Sequence, residues 1–345
     1  MRIEKATHAL ALCIMVVWLL WIGQTIMLPL VYAIIALYLI FGVTTALCRI
    51  PFLDRIPKTL LRLLVLLAIT VGFLVLFIFI GSSVARVVDA LPGYERNFDV
   101  LIGKIAHTFG FDGTPSWERV RDSTIGQIDV FVILMPFLNG LKDLGVTLFL
   151  VSIYAVFVFA ERIHFSEKLE RAIGDAGKAR KIMSLLDRIN DRVGQYLLVK
   201  TLINLILGTL SFVVMYVIGI EFALFWAVLI GVLNYIPYIG SWIAVVFPVL
   251  LSLVQSASIE LALITLVSLI TVQVYIGNFL EPRLMGRAFN LSPLVVLVSL
   301  AFWGALWNIA GAVLAIPFTV SLMIVLAELP ATRPIVIMLS ARGQI

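Results

Sequence analysis

Two short strings carry the residues whose types and spacing can do chemistry. The first is Asn234-Tyr-Ile-Pro-Tyr-Ile-Gly240. Pro237 lacks a backbone N–H and Gly240 lacks a Cβ, so both disfavour helix. Asn234, Tyr235 and Tyr238 surround that break with an amide, two hydroxyls and two ring faces. Such a set suits hydrogen bonding to a small polar solute; it also suits a plain kink whose broken end Asn234 caps. The second string is Gly277-Asn-Phe-Leu-Glu-Pro-Arg-Leu-Met-Gly286. Asn278 can cap a helix end, and Pro282 is expected to end a helix near the membrane surface. Glu281 stands one residue before Pro282 and two before Arg283. The string reads either as an interfacial turn with a local Glu281–Arg283 ion pair or as a gate or coupling carboxylate, with Gly286 at its end. A third break lies at Asn308, Gly311 and Pro317. These thirteen residues are the candidates for lining or gating a solute path.

Other polar residues have simpler readings. Asn204, Gln273 and Asn308 are lone polar groups in apolar runs, and an interhelical hydrogen bond explains them better than a ligand does. Glu161 and Arg162 end an apolar run and are expected to snorkel. Cys13 and Cys48 form no disulfide framework or metal spacing. His8, His107 and His164 all fall outside the apolar runs, which argues against an intramembrane protease of the serine–histidine or zinc type. No G-x-x-x-x-G-K-[ST] string is present, so ATP hydrolysis is not expected. Basic and aromatic residues are not interleaved as nucleic-acid binding requires. The chemistry is that of passage rather than catalysis, with no cofactor and no metal.

The elements that must hold these residues follow from composition. Of 345 residues, 62% are hydrophobic and 13% charged, and the mean hydropathy is +1.12. A soluble domain averages about 25% charged residues. This chain has more apolar surface than one core can hide, so it is an all-α integral membrane protein. A span needs about 20 mostly apolar residues. Residues 1–81 hold three membrane helices: a short one over 9–22, one over 26–47 and one over 61–81. Residues 82–143 form an extracytoplasmic or membrane-surface helical region. A fourth span covers 144–160, and 161–200 is a cytoplasmic amphipathic region. There Ile182, Leu186, Ile189, Val193 and Leu197 share one helical face. Residues 201–328 are the C-terminal membrane core, and 329–345 a cytoplasmic tail. About eight membrane segments result. No cleavable signal peptide is expected.

Charge orients them. Four Lys or Arg residues lie in 49–62 and nine in 161–200, whereas 201–280 has none. A charge at the bilayer centre costs ~2.5–3.5 kcal/mol on insertion scales, so that silence means near-continuous immersion. The positive-inside rule puts both termini, 49–62, 161–200 and 281–290 in the cytoplasm. Segment 82–143, Glu221 and Glu260 then face out. Residues 222–255 begin and end outside yet number 34, too few for a two-span hairpin of full length. They read as a re-entrant or short-armed hairpin. Residues 292–327 read as a second broken hairpin, entering from the cytoplasm. The first starts Ala223-Leu-Phe-Trp-Ala227 and reaches Asn234, Gly240 and Pro248. The second starts Leu300-Ala-Phe-Trp-Gly304 and reaches Asn308, Gly311 and Pro317. Similar strings entering from opposite sides read either as an inverted repeat or as chance recurrence of aromatic and small residues.

Three functional classes stand at this point: an exporter of a small polar solute, a sodium/proton antiporter using Glu281, and a non-transporting oligomeric scaffold. The lack of a carboxylate in the central membrane region favours a neutral solute over coupled cation exchange. The string Asn234-Tyr-Ile-Pro-Tyr-Ile-Gly-Ser241 resembles the N-Y-I-P-x-I-G signature of the autoinducer-2 exporter family. Gly277–Gly286, followed by Leu291-Ser-Pro-Leu-Val295, Phe302-Trp-Gly304 and Pro317, is similar to that family's C-terminal signature. The resemblance is dense over 190–340 and diffuse over 1–180. It implies a bacterial inner-membrane exporter that is a homo-oligomer, with a pentamer as the expectation. It also implies autoinducer-2, a small polyhydroxylated quorum-sensing signal, as solute. The two broken hairpins are expected to meet near the midplane. Sodium/proton exchange, assigned to other members of the family, is the alternative.

Overall fold

A computed structural model of the chain describes residues 2–48, 50–51, 55–94, 97, 100–101, 130–285, 291–341 and 343. Gly286 and the stretch 102–129 lie outside the described residues. Among those described, eleven α-helices account for nearly all of the structure: α1 Arg2–Ile22, α2 Gln24–Leu47, α3 Lys58–Ala90, α4 Val130–Ile173, α5 Ala176–Ile218, α6 Ala223–Leu233, α7 Ile239–Ser256, α8 Ile259–Tyr275, α9 Glu281–Met285, α10 Pro293–Ala327 and α11 Arg333–Leu339. A 3-10 turn follows α3 at Leu91–Tyr94, and a π-helical turn, Ile276–Leu280, joins α8 to α9. The only extended pairing among the described residues is one antiparallel bridge, Leu291 to Ser340.

Among the described residues five helices are long and apolar enough to cross a membrane: Gln24–Thr45, Lys58–Val87, Ala176–Ile218, Ile259–Met285 and Pro293–Ala327. A sixth candidate is the bent pair Phe149–Glu161 and His164–Ile173. Their outer faces are lined by exposed side chains such as Leu67, Phe73, Phe157 and Val217. Apolar surface this continuous needs a bilayer to cover it. The break between α1 and α2 is narrower than the sequence suggests. It falls at Gly23 alone, and Pro29 sits inside α2. Helix α4 begins at Val130 and reaches Ile173 with a 64° bend between Glu161 and His164, so the expected span over 144–160 is the part of a longer helix that ends at this bend.

The chain divides into two compact units, with the division falling inside α3 and α5. The first comprises Met1–Leu67, Val146–Val199 and Met285–Ile345. Its buried centre is Val193, Tyr196 and Leu197 of α5, packed by Ile35, Tyr38 and Leu39 of α2, by Met285, and by Ile316 of α10. The amphipathic face read from the sequence supplies Ile189, Val193 and Leu197 to this centre. Helix α10 is broken at Trp307 (φ −131°, ψ 23°) and Asn308 (φ 53°, ψ −136°). Trp303 Nε1 donates to Thr319 Oγ1 at 3.1 Å, and the Trp303 and Phe318 rings lie 4.8 Å apart. Sixteen residues of straight helix would span about 24 Å, so the arms 293–306 and 309–327 fold back on each other. Gly311 lets them close, because a Cβ there would stand 1.8 Å from the Trp303 carbonyl oxygen. Trp307 Nε1 ties the turn to α1 through the Leu20 carbonyl at 3.0 Å.

The second unit comprises Ala68–Gly145 and Lys200–Leu284. Helices α6 and α7 form its broken hairpin, with arms of 11 and 18 residues around 234–238. Trp226 on one arm stacks on Phe247 of the other at 6.0 Å. Gly240 plays the part that Gly311 plays in the first unit: a Cβ there would lie 1.8 Å from the Leu233 carbonyl oxygen. Each unit therefore holds a hairpin with a tryptophan–phenylalanine pair between its arms and one glycine against the carbonyl of the preceding arm. At the other end of the second unit, Gln255 donates to the Gly219 carbonyl at 2.9 Å and accepts from the Glu221 amide at 3.0 Å. The Tyr94 hydroxyl donates to the Glu221 carboxylate, and Asn97 donates to the Gln255 carbonyl at 2.7 Å. Burial, and then the bond to and charge of Glu221, hold the Tyr94 hydroxyl well above its ordinary pKa.

Candidate functional site

The site grows from one face of α5. Lys200, Ile203, Asn204, Leu207 and Ser211 recur at helical spacing and are all buried. Glycines bring α6 against this face. A Cβ on Gly208 would meet the Ala227 carbonyl oxygen at 3.1 Å, and one on Gly231 would meet the Asn204 carbonyl oxygen at 3.0 Å. Small residues at a crossing allow this close backbone approach in a membrane, where there is no hydrophobic drive between helices.

That approach sets Asn234, the last residue of the first hairpin arm, beside Asn204. Asn234 Nδ2 donates to Asn204 Oδ1 at 2.8 Å, and Asn234 Oδ1 accepts from Ser241 Oγ at 2.9 Å. The Asn234 side chain does not cap the helix. It bridges α5 to the start of α7 across the break, while its backbone N–H closes α6 on the Ile230 carbonyl. Asn204 Nδ2 is buried without a well-formed hydrogen bond, and the Tyr235 hydroxyl is the neighbour it acts on. The Tyr235 hydroxyl shares a hydrogen bond with Thr201 Oγ1 at 2.7 Å. Tyr238 begins α7 at φ 61°, with its side chain exposed, and Pro237 is half-buried within the turn. The result is a neutral cluster of amides and hydroxyls between α5 and the hairpin. An interhelical bond was expected for Asn204 and is present. Gln273 differs, since its Nε2 is buried without an acceptor.

The second string behaves otherwise than its spacing suggests. Glu281 Oε1 accepts from Lys200 Nζ at 2.7 Å, whereas the Arg283 side chain is exposed. The local Glu281–Arg283 reading therefore gives way to a long-range pair between α5 and α9. Pro282 does not end the helix, because α9 continues through it. The π-helical turn explains this: the Glu281 amide bonds to the Ile276 carbonyl, five residues back. A widened turn displaces the carbonyl that a proline ring would otherwise strike. Asn278 lies exposed within that turn. In the first unit Asn308 occupies the positive-φ corner of α10 and is exposed, Gly311 closes the turn, and Pro317 is fully buried. Among the described residues Asn308 makes no interhelical bond, and the break leaves it exposed.

Thr201, Ser241 and Lys200 are the participants that sequence reasoning missed. For Lys200 a signal was available. The stretch without Lys or Arg begins just after Lys200, and Glu281 stands at its other end, two residues before Arg283. Two opposite charges at the ends of an immersed stretch are candidates to meet, since each lowers the cost of the other.

Comparison with known proteins agrees with this architecture. The chain is 29% identical over 329 residues to a Borreliella burgdorferi protein whose transport role is itself provisional; the match covers 94% of this chain and 87% of that one. It is 29% identical over 296 residues to TqsA of Escherichia coli K12, named an AI-2 transport protein, covering 83% and 82%. A Bacillus subtilis relative, YrrI, also provisionally a transport protein, is 25% identical over 313 residues, covering 88% and 86%. The family profile of AI-2E transporters matches residues 10–331, nearly the whole chain. With its apolar helices, its broken hairpins and that match, the chain belongs to the AI-2E family of membrane transporters.

Proposed function

We propose that this transporter moves a small, polar, uncharged solute of the autoinducer-2 type out of the cytoplasm. The observation that carries the reading is the neutral Asn204–Asn234–Ser241 chain beside the Thr201–Tyr235 pair. Amides and hydroxyls exchange hydrogen bonds with a polyhydroxylated solute at little net cost and carry no fixed charge. The name of the Escherichia coli relative, an AI-2 transport protein, supports the same solute. Asn234, Tyr235, Pro237, Tyr238 and Gly240 line the path in this reading. Asn278, Glu281, Pro282, Arg283 and Gly286 gate it, and Asn308, Gly311 and Pro317 belong to the second broken segment. The protein acts as a homo-oligomer, with five subunits as the working number, in the bacterial inner membrane with both termini cytoplasmic.

The Lys200–Glu281 pair favours a second reading, sodium/proton exchange at Glu281. It requires the carboxylate to leave Lys200 for an external cation. Proteoliposomes of the purified protein test both readings, with autoinducer-2 uptake and a pH-sensitive dye followed side by side. Solute flux without a dye response is the expected result. A sodium-dependent dye response without solute flux would overturn it in favour of exchange.

A further inference from the structure

Arg62 stands in the first unit, one turn into α3 and at the polar end of an apolar span. Its guanidinium carbon lies 4.8 Å from the centre of the Phe41 ring on α2 and 5.7 Å from that of Phe159 on α4. The two rings are 6.1 Å apart with their planes at 32°. Three helices thus converge on one cation, and with the ring centres only 6.1 Å apart both rings pack against the same side of it. One donor of its edge is unfilled: Nε is buried and has no acceptor, and no carboxylate pairs with Arg62 among the described residues. A second buried group nearby in sequence is also orphaned. Thr44, three residues from Phe41 and so on the same side of α2, is 4% exposed, and its hydroxyl has no partner. Lys58, four residues before Arg62 on α3, shares its face and is exposed.

A guanidinium packed against rings on one side still presents a planar fork of N–H donors along its edge, which matches the oxygens of a carboxylate or a phosphate, and at a bilayer surface the anion at hand is a lipid phosphate. Its place decides the source of that phosphate. The cation ends a 30-residue apolar span, where a bilayer headgroup would lie, with Lys58 on the same face to add a second positive charge. We propose that Arg62, packed against Phe41 and Phe159, is the headgroup-phosphate site for an anionic phospholipid of the leaflet facing 49–62. Arg62 holds the phosphate by its edge, Lys58 adds attraction, and the acyl chains lie along the exposed apolar face of α3, where Leu63, Leu67 and Leu74 stand. The site is independent of the solute path and of the transported species.

The test is native mass spectrometry of the full-length protein released from nanodiscs of phosphatidylglycerol mixed with phosphatidylcholine. The wild type should retain one tightly held phosphatidylglycerol per subunit. Arg62→Gln should lose it, with occupancy falling about tenfold, the worth of one hydrogen bond to a charged group. Arg62→Lys keeps charge and insertion but lacks the fork, and its occupancy should fall less. Equal occupancy in wild type and either variant would overturn the proposal. So would displacement of the lipid by inorganic phosphate, which would mark a free-anion site, or equal retention of phosphatidylcholine, which would mark an apolar groove without headgroup recognition.

Discussion

Lys200 Nζ and Glu281 Oε1 lie 2.7 Å apart, with the lysine side chain 5% exposed and the glutamate side chain 27% exposed. The ammonium is therefore the buried member, and it depends on the carboxylate more than the reverse. Removing one partner of a buried pair costs about 3–5 kcal/mol, whereas replacing both with apolar side chains is near neutral. Glu281 is partly open, so the lower end of that range applies. Glu281→Gln should lower the thermal transition of the detergent-solubilised protein substantially, and Lys200→Met/Glu281→Leu should recover most of the loss. A double variant no more stable than Glu281→Gln would show that the pair does not act as a unit.

Asn234 is the bridge between α5 and the second hairpin arm. Asn234→Leu removes both of its side-chain bonds and leaves the buried Asn204 Oδ1 without this donor, at about 1–3 kcal/mol. Ser241→Ala removes one bond and should cost about 1 kcal/mol. If the cluster handles solute, flux in proteoliposomes should fall sharply for Asn234→Leu and modestly for Ser241→Ala, at matched insertion. Unchanged flux for Asn234→Leu would sink the assignment of this cluster to the path.

The two hairpin glycines are predicted to tolerate no side chain. A Cβ at Gly240 or Gly311 would sit 1.8 Å from a backbone carbonyl oxygen, while one at Gly72 meets nothing within 4 Å. Gly240→Ala and Gly311→Ala must move backbone, at about 1–3 kcal/mol or more. Gly72→Ala in mid-helix should be neutral or stabilising by about 0.5–1 kcal/mol. Yield of monodisperse protein and its melting temperature distinguish the three variants.

Glu328 sits between Arg188 and Lys181. Their hydrogen bonds, more than their charges at a distance, hold its carboxyl below its ordinary value near 4.5. A lowered folded-state pKa adds stability that is present above that ordinary value. It is lost as pH falls through the lowered one. Melting temperature should therefore drop as pH is taken from about 5 to below 4, and Glu328→Gln should remove this part of the drop. The carboxylate is partly open and its two basic partners are exposed, so the effect should be small and weaken further in high salt. A drop of equal size in the variant would assign it to other carboxylates.

Much of the fold was legible in the sequence because lipid imposes a plain rule: immersed backbone must be helical, and immersed charge is rare. The apolar runs, the amphipathic face ending in Val193 and Leu197, and the breaks at Asn234–Gly240 and Asn308–Gly311 all follow from it. What misled was local spacing. Arg283 stands two residues from Glu281, yet residues two apart on a helix do not face each other. Pro282 looks like a stop, yet a π-helical turn absorbs it. Neither the π turn nor the full length of α4 leaves a mark in composition.

By itself the sequence determined that this chain lives in a membrane, that its helices break at two asparagine–glycine sites and that it carries the signatures of its family. Those properties depend on what each residue can tolerate in lipid, and each residue declares that locally. Only the tertiary structure decided which partner each polar residue takes: Lys200 for Glu281, Asn204 and Ser241 for Asn234, and two phenylalanine rings for Arg62. Those pairings join residues far apart in the chain, and they exist only once glycines such as Gly208 and Gly231 have let the helices come close enough to meet.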